Sequence, residues 1–158
     1  MKIFVDMLFI NMKVETIYLD IEENMFLSDA KRKVLDKSYI YPEEQVWFCN
    51  NTPIKDEKIE WDSSLRYSII VNNKWYNFSI KTITNSVINV THLTSRDLIS
   101  TIKYHIYEKI KLPPKNYTLM AKVNGKMTEL YDTEPIGKYF LPNNTTITLV
   151  IKLGSGFR

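Results

Sequence analysis

Apolar residues alternate with polar ones along several short stretches of this chain, a pattern typical of half-buried β-strands. Residues 1–5 read Met-Lys-Ile-Phe-Val, and further along Ile17, Leu19 and Ile21 alternate with Thr, Tyr and Asp. These stretches predict two strands near the start of the chain.

A helical repeat comes next. Leu27, Ala30 and Val34 are spaced i, i+3 and i+7, and charged residues fill the opposite face. This spacing predicts an amphipathic helix. Pro42 prevents the helix from continuing, and residues 45–49, Gln-Val-Trp-Phe-Cys, predict the next strand. The alternation returns at Leu65, Tyr67 and Ile69.

The second half of the chain repeats the order strand, strand, helix, strand, strand. Its elements are indicated in turn by Phe78 and Ile80, by Ile88 and Val90, by the helical spacing of Ile99, Ile102, Ile106 and Ile110, by residues 117–121 and by residues 145–151. Asn124-Gly125 is a strong turn signal. Two halves with the same order indicate a duplication, so the sequence predicts an α+β protein with two similar domains. The alternative is one α+β domain whose halves look alike.

Composition and charge narrow the class of protein. Charged residues make up 25% and hydrophobic residues 44% of the 158, which is globular composition. The formal net charge of +3 is spread thinly, so we expect neither a nucleic-acid partner nor a membrane partner. The apolar start is broken by Asp6 and Asn11 without a signal-peptide cleavage site, and we expect a cytoplasmic protein.

The sequence resembles the ubiquitin-like proteins along nearly its whole length, twice. Residues 1–5 are similar to the opening strand of that family, and Leu112-Pro113-Pro114 is similar to its helix end. Other residues stand where the family has core or helix-end positions: Ile17, Leu19, Ile21, Leu27, Val34, Asp36, Lys37, Ile40, Pro42, Leu119, Ile136 and Tyr139. The resemblance implies two ubiquitin-like β-grasp domains in tandem, domain 1 at 1–72, a linker at 73–75, domain 2 at 76–153 and a flexible tail at 154–158.

The end of the chain carries the most specific part of the resemblance. Residues 145–153 look like the family's last strand and its exit, and Gly156 occupies the position of the terminal glycine. Ser155 and Gly154 depart from the family, which has glycine and arginine there. As a whole the chain resembles the two-domain ubiquitin-like modifiers, which include an interferon-induced protein and proteins of bacterial antiphage conjugation operons.

This resemblance implies a protein modifier, with a role in antiviral or antiphage defence. We expect a precursor from which Phe157 and Arg158 are removed, after which Gly156 is joined by an isopeptide bond to a target amine. The tail would consist of Lys152, Leu153, Gly154 and Ser155, since small residues suit a narrow enzyme channel. The implied partners are an activating enzyme, a conjugating enzyme, a processing or deconjugating protease and a target protein.

Two other functions stay open. The chain could be a non-conjugated tandem adaptor that acts only by binding, or it could be a sulfur carrier of the same fold. The alternative for the Gly-Ser-Gly run is a frayed chain end. Lys152, which replaces the arginine that activating enzymes read in ubiquitin, favours a dedicated activating enzyme. The alternative for Lys152 is simple contact with solvent.

The resemblance also places a partner-binding patch on the second domain, at Ile83, Met120, Thr148 and Val150. The alternative there is scattered surface apolar residues. The counterparts in the first domain, a less evident patch, are Leu8, Phe48, Arg66 and Ser68.

The sequence offers no catalytic or metal-binding constellation. Its one cysteine, Cys49, cannot form an internal disulfide. Pairing Cys49 with His92 or His105 as nucleophile and base is less attractive than a buried structural cysteine, because the three lie on different predicted elements. We therefore expect a substrate of enzymes that is not itself an enzyme and that needs no cofactor or metal.

Overall fold

A computed structural model describes residues 1–152 of the chain. Over this range the chain folds into two compact units, Met1–Lys74 and a second that begins at Trp75. Each unit holds a five-stranded mixed sheet and a single α-helix. The predicted class, α+β with two repeated domains of the β-grasp type, is confirmed.

The first unit places its first strand beside its last. Its sheet order is β2-β1-β5-β3-β4, in which β1 and β5 are parallel and the other pairs are antiparallel. The elements are β1 (Lys2–Leu8), β2 (Val14–Asp20), α1 (Leu27–Ser38), β3 (Gln45–Cys49), β4 (Thr52–Pro53) and β5 (Tyr67–Val71).

Alternation along the strands and helical spacing along α1 build the core of this unit. Leu27, Ala30 and Val34 of the helix pack in one buried cluster with Ile3 and other inward-facing strand residues. The predicted helix face is therefore confirmed. The helix ends at Tyr39, whose left-handed backbone (φ 58°) closes the last turn through its N–H to the carbonyl of Leu35.

The second unit has the same topology. Its sheet order is β7-β6-β10-β8-β9, with β6 and β10 parallel. The elements are β6 (Tyr76–Lys81), β7 (Val87–Leu93), α2 (Ile99–Ile110), β8 (Tyr117–Val123), β9 (Lys126–Leu130) and β10 (Thr146–Ile151). Equivalent lysines near the two helix ends even make the same contact, Lys37 Nζ donating to the Tyr18 carbonyl and Lys109 Nζ to the Asn89 carbonyl.

Each sheet contains one strand more than the sequence predicts. In the second unit Asn124-Gly125 forms the predicted turn, both residues having positive φ, and the chain pairs β9 with β8 after it. In the first unit the extra strand is only Thr52–Pro53. Strands this short, or with mixed polar residues such as Lys126–Leu130, carry too little alternation to be recognised.

Among residues 1–152, no helix is long and apolar enough to cross a lipid bilayer.

Candidate functional site

The base of the predicted conjugation tail is fixed in the middle of the second sheet. β10 lies between β6 and β8 and ends at Ile151, which pairs with Tyr117. The next residue, Lys152, is exposed, and its N–H donates to the Asn116 carbonyl at 2.9 Å. The chain is thus hydrogen-bonded up to the last described residue.

The rest of the predicted tail lies outside the described residues. This applies to Leu153, Gly154, Ser155 and Gly156, and to the predicted processed pair Phe157-Arg158. Conjugation and trimming at these positions stay predictions.

The four residues expected to form a patch on the second unit lie at one end of its sheet. Met120 and Thr148 face each other across β8 and β10, and both are partly exposed. Val150, 41% exposed, lies two residues further along the same face, and Ile83, 67% exposed, lies in the turn between β6 and β7. Alternation with buried Ile147 and Leu149 directs Thr148 and Val150 outward.

The neighbours of this patch are mostly polar. Thr148 pairs with Lys81 on one side, Val150 pairs with Thr118, and Met120 pairs with Glu129. The outer face of the second sheet, meaning the face turned away from its buried side chains, therefore carries isolated apolar residues among threonine and charged groups.

The first sheet differs, because an unbroken row of exposed aliphatic side chains crosses four of its strands. Leu8 pairs with Val14 on one side and with Ile70 on the other, and Ile70 pairs with Val46. These four residues are between 40% and 56% exposed. Leu8, Val46 and Ile70 alternate with buried neighbours, and Val14 is paired with Leu8, so the row stands on the outer face of the sheet.

An aromatic pair stands on the same face. Phe4 and Tyr18 lie opposite each other on β1 and β2, with ring centroids 4.7 Å apart in an edge-to-face arrangement, and each is about half exposed. We call Val14, Leu8, Ile70, Val46, Phe4 and Tyr18 together the apolar face.

A hollow of about 510 Å³ lies beside the aromatic pair. Its lining includes Leu8, Phe48, Ser68, Arg66 and Ile70. Ser68 pairs with Phe48 and with Asp6 and supplies a small side chain between larger ones. The Arg66 guanidinium, whose side chain is 86% exposed, lies 3.5 Å from the Asp6 carboxylate.

All four counterpart residues of the first unit, Leu8, Phe48, Arg66 and Ser68, therefore line one hollow. Sequence reasoning missed the aliphatic row and the aromatic pair beside it. A signal was present, since β1 reads Lys-Ile-Phe-Val-Asp-Met-Leu and has apolar residues on both faces. A strand with one solvated face alternates more strictly.

Inside the second unit, α2 buries a charged residue. Lys103 is 3% exposed, and its Nζ lies 2.7 Å from the Asp132 carboxylate and 3.3 Å from the Tyr117 carbonyl. Burial, and secondarily the Asp132 charge, raises the pKa of the Tyr117 hydroxyl to about 12. This group ties the helix to β8 and to the loop after β9, and its residues are engaged with each other.

The cysteine and the two histidines belong to different units. Cys49 belongs to the first unit and packs half-buried against its core, whereas full burial was predicted. His92 and His105 belong to the second unit, where His92 lies against Trp75 with ring centroids 5.7 Å apart. Within the described part of the chain, no three His, Cys, Asp or Glu side chains are placed to hold a metal ion together.

A search of known protein families finds no family whose pattern matches this sequence.

Proposed function

We propose that this chain is a ubiquitin-like protein modifier, trimmed after Gly156 and conjugated through that glycine to a target amine. The observation that carries the proposal is the base of the tail. The central strand β10 is hydrogen-bonded on both sides, Lys152 is anchored to Asn116, and Leu-Gly-Ser-Gly follows in the sequence. A rigid strand followed at once by small residues suits an end that must enter an enzyme channel.

In this chemistry the reacting group of the modifier is the Gly156 carboxylate. The Gly156 carboxylate would attack the α-phosphate of ATP and release pyrophosphate, giving an acyl adenylate. A cysteine thiolate of the activating enzyme would then displace AMP to form a thioester, and a target amine would displace the thiolate to form the amide. Glycine suits all three steps, because it adds no side chain at the reacting carbon and adopts unusual backbone angles easily.

The remnant left by trypsin tests this proposal directly. An N-terminally tagged chain is expressed in its native host cells, and denatured conjugates are isolated and digested. Because trypsin cleaves after Lys152, a conjugated target lysine keeps the branch Leu-Gly-Ser-Gly, which tandem mass spectrometry identifies by mass and sequence. The expected result is this branch on target peptides, together with adducts of higher mass on denaturing gels.

Two chain ends provide matched controls. A chain that stops at Gly156 should form the same adducts without needing the protease, and a chain that stops at Ser155 should form none. Adducts that persist without Gly156, or an absence of any branched peptide from both the full chain and the chain ending at Gly156, would contradict the proposal.

A tandem adaptor that acts by binding alone is the second candidate function. The apolar face of the first unit favours it, because contiguous exposed apolar surface is typical of interaction sites. Deleting residues from Gly154 onward distinguishes the two functions: a modifier loses its covalent adducts, whereas an adaptor keeps all of its binding.

A further inference from the structure

We propose that the apolar face of the first unit is the interface of a symmetric homodimer of this chain. The proposal does not depend on conjugation through Gly156. It rests on the size of the face, on the position of the aromatic pair relative to the hollow, and on the balanced charges of the face.

The size of the face matches what one side of an interface needs. A fully exposed side chain of these types presents roughly 150–200 Å², so six half-exposed ones leave about 500 Å² of apolar surface. A standard interface buries roughly 800 Å² per partner, of which somewhat more than half is apolar. The face therefore supplies about the apolar area that one partner contributes.

The face also carries the aromatic pair and, near it, the hollow, whose lining is partly apolar and partly polar. Phe4 lies two residues and one strand away from Ser68, which lines the hollow, and this is a distance of about 8 Å. In a two-fold dimer, each residue pair across the interface occurs twice. A two-fold axis between Phe4 and Ser68 would bring the aromatic pair of each copy over the hollow of the other.

Arg66 adds a specific contact to this arrangement. It lines the hollow with a largely exposed guanidinium held only at one side by Asp6. A guanidinium in that place stacks favourably on an entering aromatic ring. The aromatic pair of a second copy supplies such a ring.

Charge favours a second copy over a strongly charged partner. Lys2 stands opposite Asp20 at one end of the face, and Arg66 is paired with Asp6 in the middle. The face therefore has nearly balanced charge, so two copies do not repel each other. Two sheets then pack face to face about 10 Å apart, as in a β-sandwich.

The second sheet cannot serve equally well as the opposite surface. Its outer face carries Lys81, Lys122 and several threonines around Met120, so an apolar face set against it would bury polar groups without partners. Contact between two apolar faces closes into a dimer.

Sedimentation equilibrium of the full chain tests the proposal. The wild-type chain should show twice its monomer mass, with a dissociation constant in the micromolar range or tighter. Ile70→Lys and Leu8→Lys should each weaken dimerisation at least about tenfold, because each buries an ammonium in the interface. Arg66→Ala should weaken it by a smaller factor, about threefold to tenfold.

Val150→Lys is the matched control, because Val150 is an equally exposed strand residue on the outer face of the other sheet. It should leave the dimer unchanged. The double variant Val46→Thr and Ile70→Thr keeps the β-branched shape of both side chains and should also weaken the dimer, which covers the case in which a lysine variant fails to fold. A wild-type chain that stays monomeric at about 100 μM, a dimer indifferent to all changes on the apolar face, or equal weakening by Val150→Lys overturns the proposal.

Discussion

The two units share one topology but differ on both sides of their sheets. The first unit packs two tryptophans, Trp47 and Trp61, into its core and presents an apolar outer face. The second unit buries an ion pair, Lys103–Asp132, and presents threonine and charged residues outward. The inward-facing positions that define the fold are kept apolar in both, so the repeated fold constrains one face of each sheet and leaves the other free to diverge.

In both units a tyrosine hydroxyl accepts a backbone N–H, but the tyrosine stands on a different element in each. In the second unit the 3₁₀ turn Ile136–Tyr139 carries Tyr139, whose hydroxyl accepts the Tyr131 N–H at 2.9 Å. The first unit is shorter before its last strand, and there Tyr67, on β5 itself, accepts the Asp62 N–H at 3.0 Å. The bond is the same in kind, although it joins different elements.

Trp61 fills the space in the first unit that corresponds to the missing turn. Its ring lies 6.0 Å from that of Trp47 and 5.3 Å from that of Tyr67, and its Nε1–H donates to the Met25 carbonyl. Trp61→Ala should destabilise the first unit by about 3–5 kcal/mol, since it leaves a large cavity and an unpaired carbonyl. Hydrogen exchange, followed separately in β1 and in β6, should show lost protection in the first unit only.

The matched control for Trp61 is Trp75→Ala, because Trp75 is 58% exposed. It should cost less than about 1 kcal/mol in the second unit. An equal cost for both substitutions, or loss of protection in β6 on changing Trp61, would contradict the assigned role of Trp61.

The sequence predicts the buried faces of the strands and helices well. Leu19 and Ile21 are buried, as their alternation with polar residues predicts, and the spacing of Leu27, Ala30 and Val34 gives the correct helix face. The conclusion follows from local periodicity, because burial of one face imposes a period on the chain. In α2 the same reasoning places Ile99, Ile102 and Ile106 correctly but is wrong for Ile110, which is 46% exposed in the last turn of the helix.

Local periodicity does not predict features that depend on residues far apart in the sequence. Lys103 is buried because Asp132 and the Tyr117 carbonyl, far along the chain, neutralise and bind its ammonium. The hollow around Ser68 likewise depends on which strands become neighbours, a property of topology. Tail chemistry at Gly156 is predicted from resemblance alone, and it falls beyond residue 152, where the described part of the chain ends.

The ion pair should make the second unit sensitive to the loss of Asp132. Asp132→Ala leaves the buried Lys103 ammonium without its carboxylate and should destabilise the second unit by about 2–3 kcal/mol, a value reduced because Asp132 is half exposed.

Lys103→Met is the control for this substitution. It removes the charge together with its need for a partner and should cost distinctly less. Unfolding in urea, read by hydrogen exchange in β8, measures both. A larger loss for Lys103→Met than for Asp132→Ala would show that the pair itself supplies the stability.

Alkaline pH should destabilise the second unit through Tyr117, and it should act on the first unit with the same sign through Tyr67, because burial also raises the pKa of the Tyr67 hydroxyl. The pKa of Tyr117 is raised from 10.0 to about 12, so its neutral form is favoured in the folded state. Its contribution is fully present below about pH 10 and is lost as the pH rises through about 12, where the second unit should have lost roughly 1–2 kcal/mol. Tyr117→Phe should flatten this loss in β8 exchange between about pH 9 and pH 11.5, and an unchanged slope would contradict the raised pKa.

The smallest effects concern the tyrosine-to-backbone hydrogen bond that each unit contains. Tyr67→Phe and Tyr139→Phe each remove a hydroxyl that accepts one backbone N–H. Each should cost about 1 kcal/mol, because a single neutral hydrogen bond is lost and the ring stays in place. Hydrogen exchange should assign the first loss to β1 and β5 and the second to β6 and β10. If the bond contributes equally to the stability of both units, the two losses agree within about 0.5 kcal/mol and add in the double variant. A much larger loss for Tyr67→Phe would mean that the place of Tyr67 on a central strand, against Trp61, matters more than the bond.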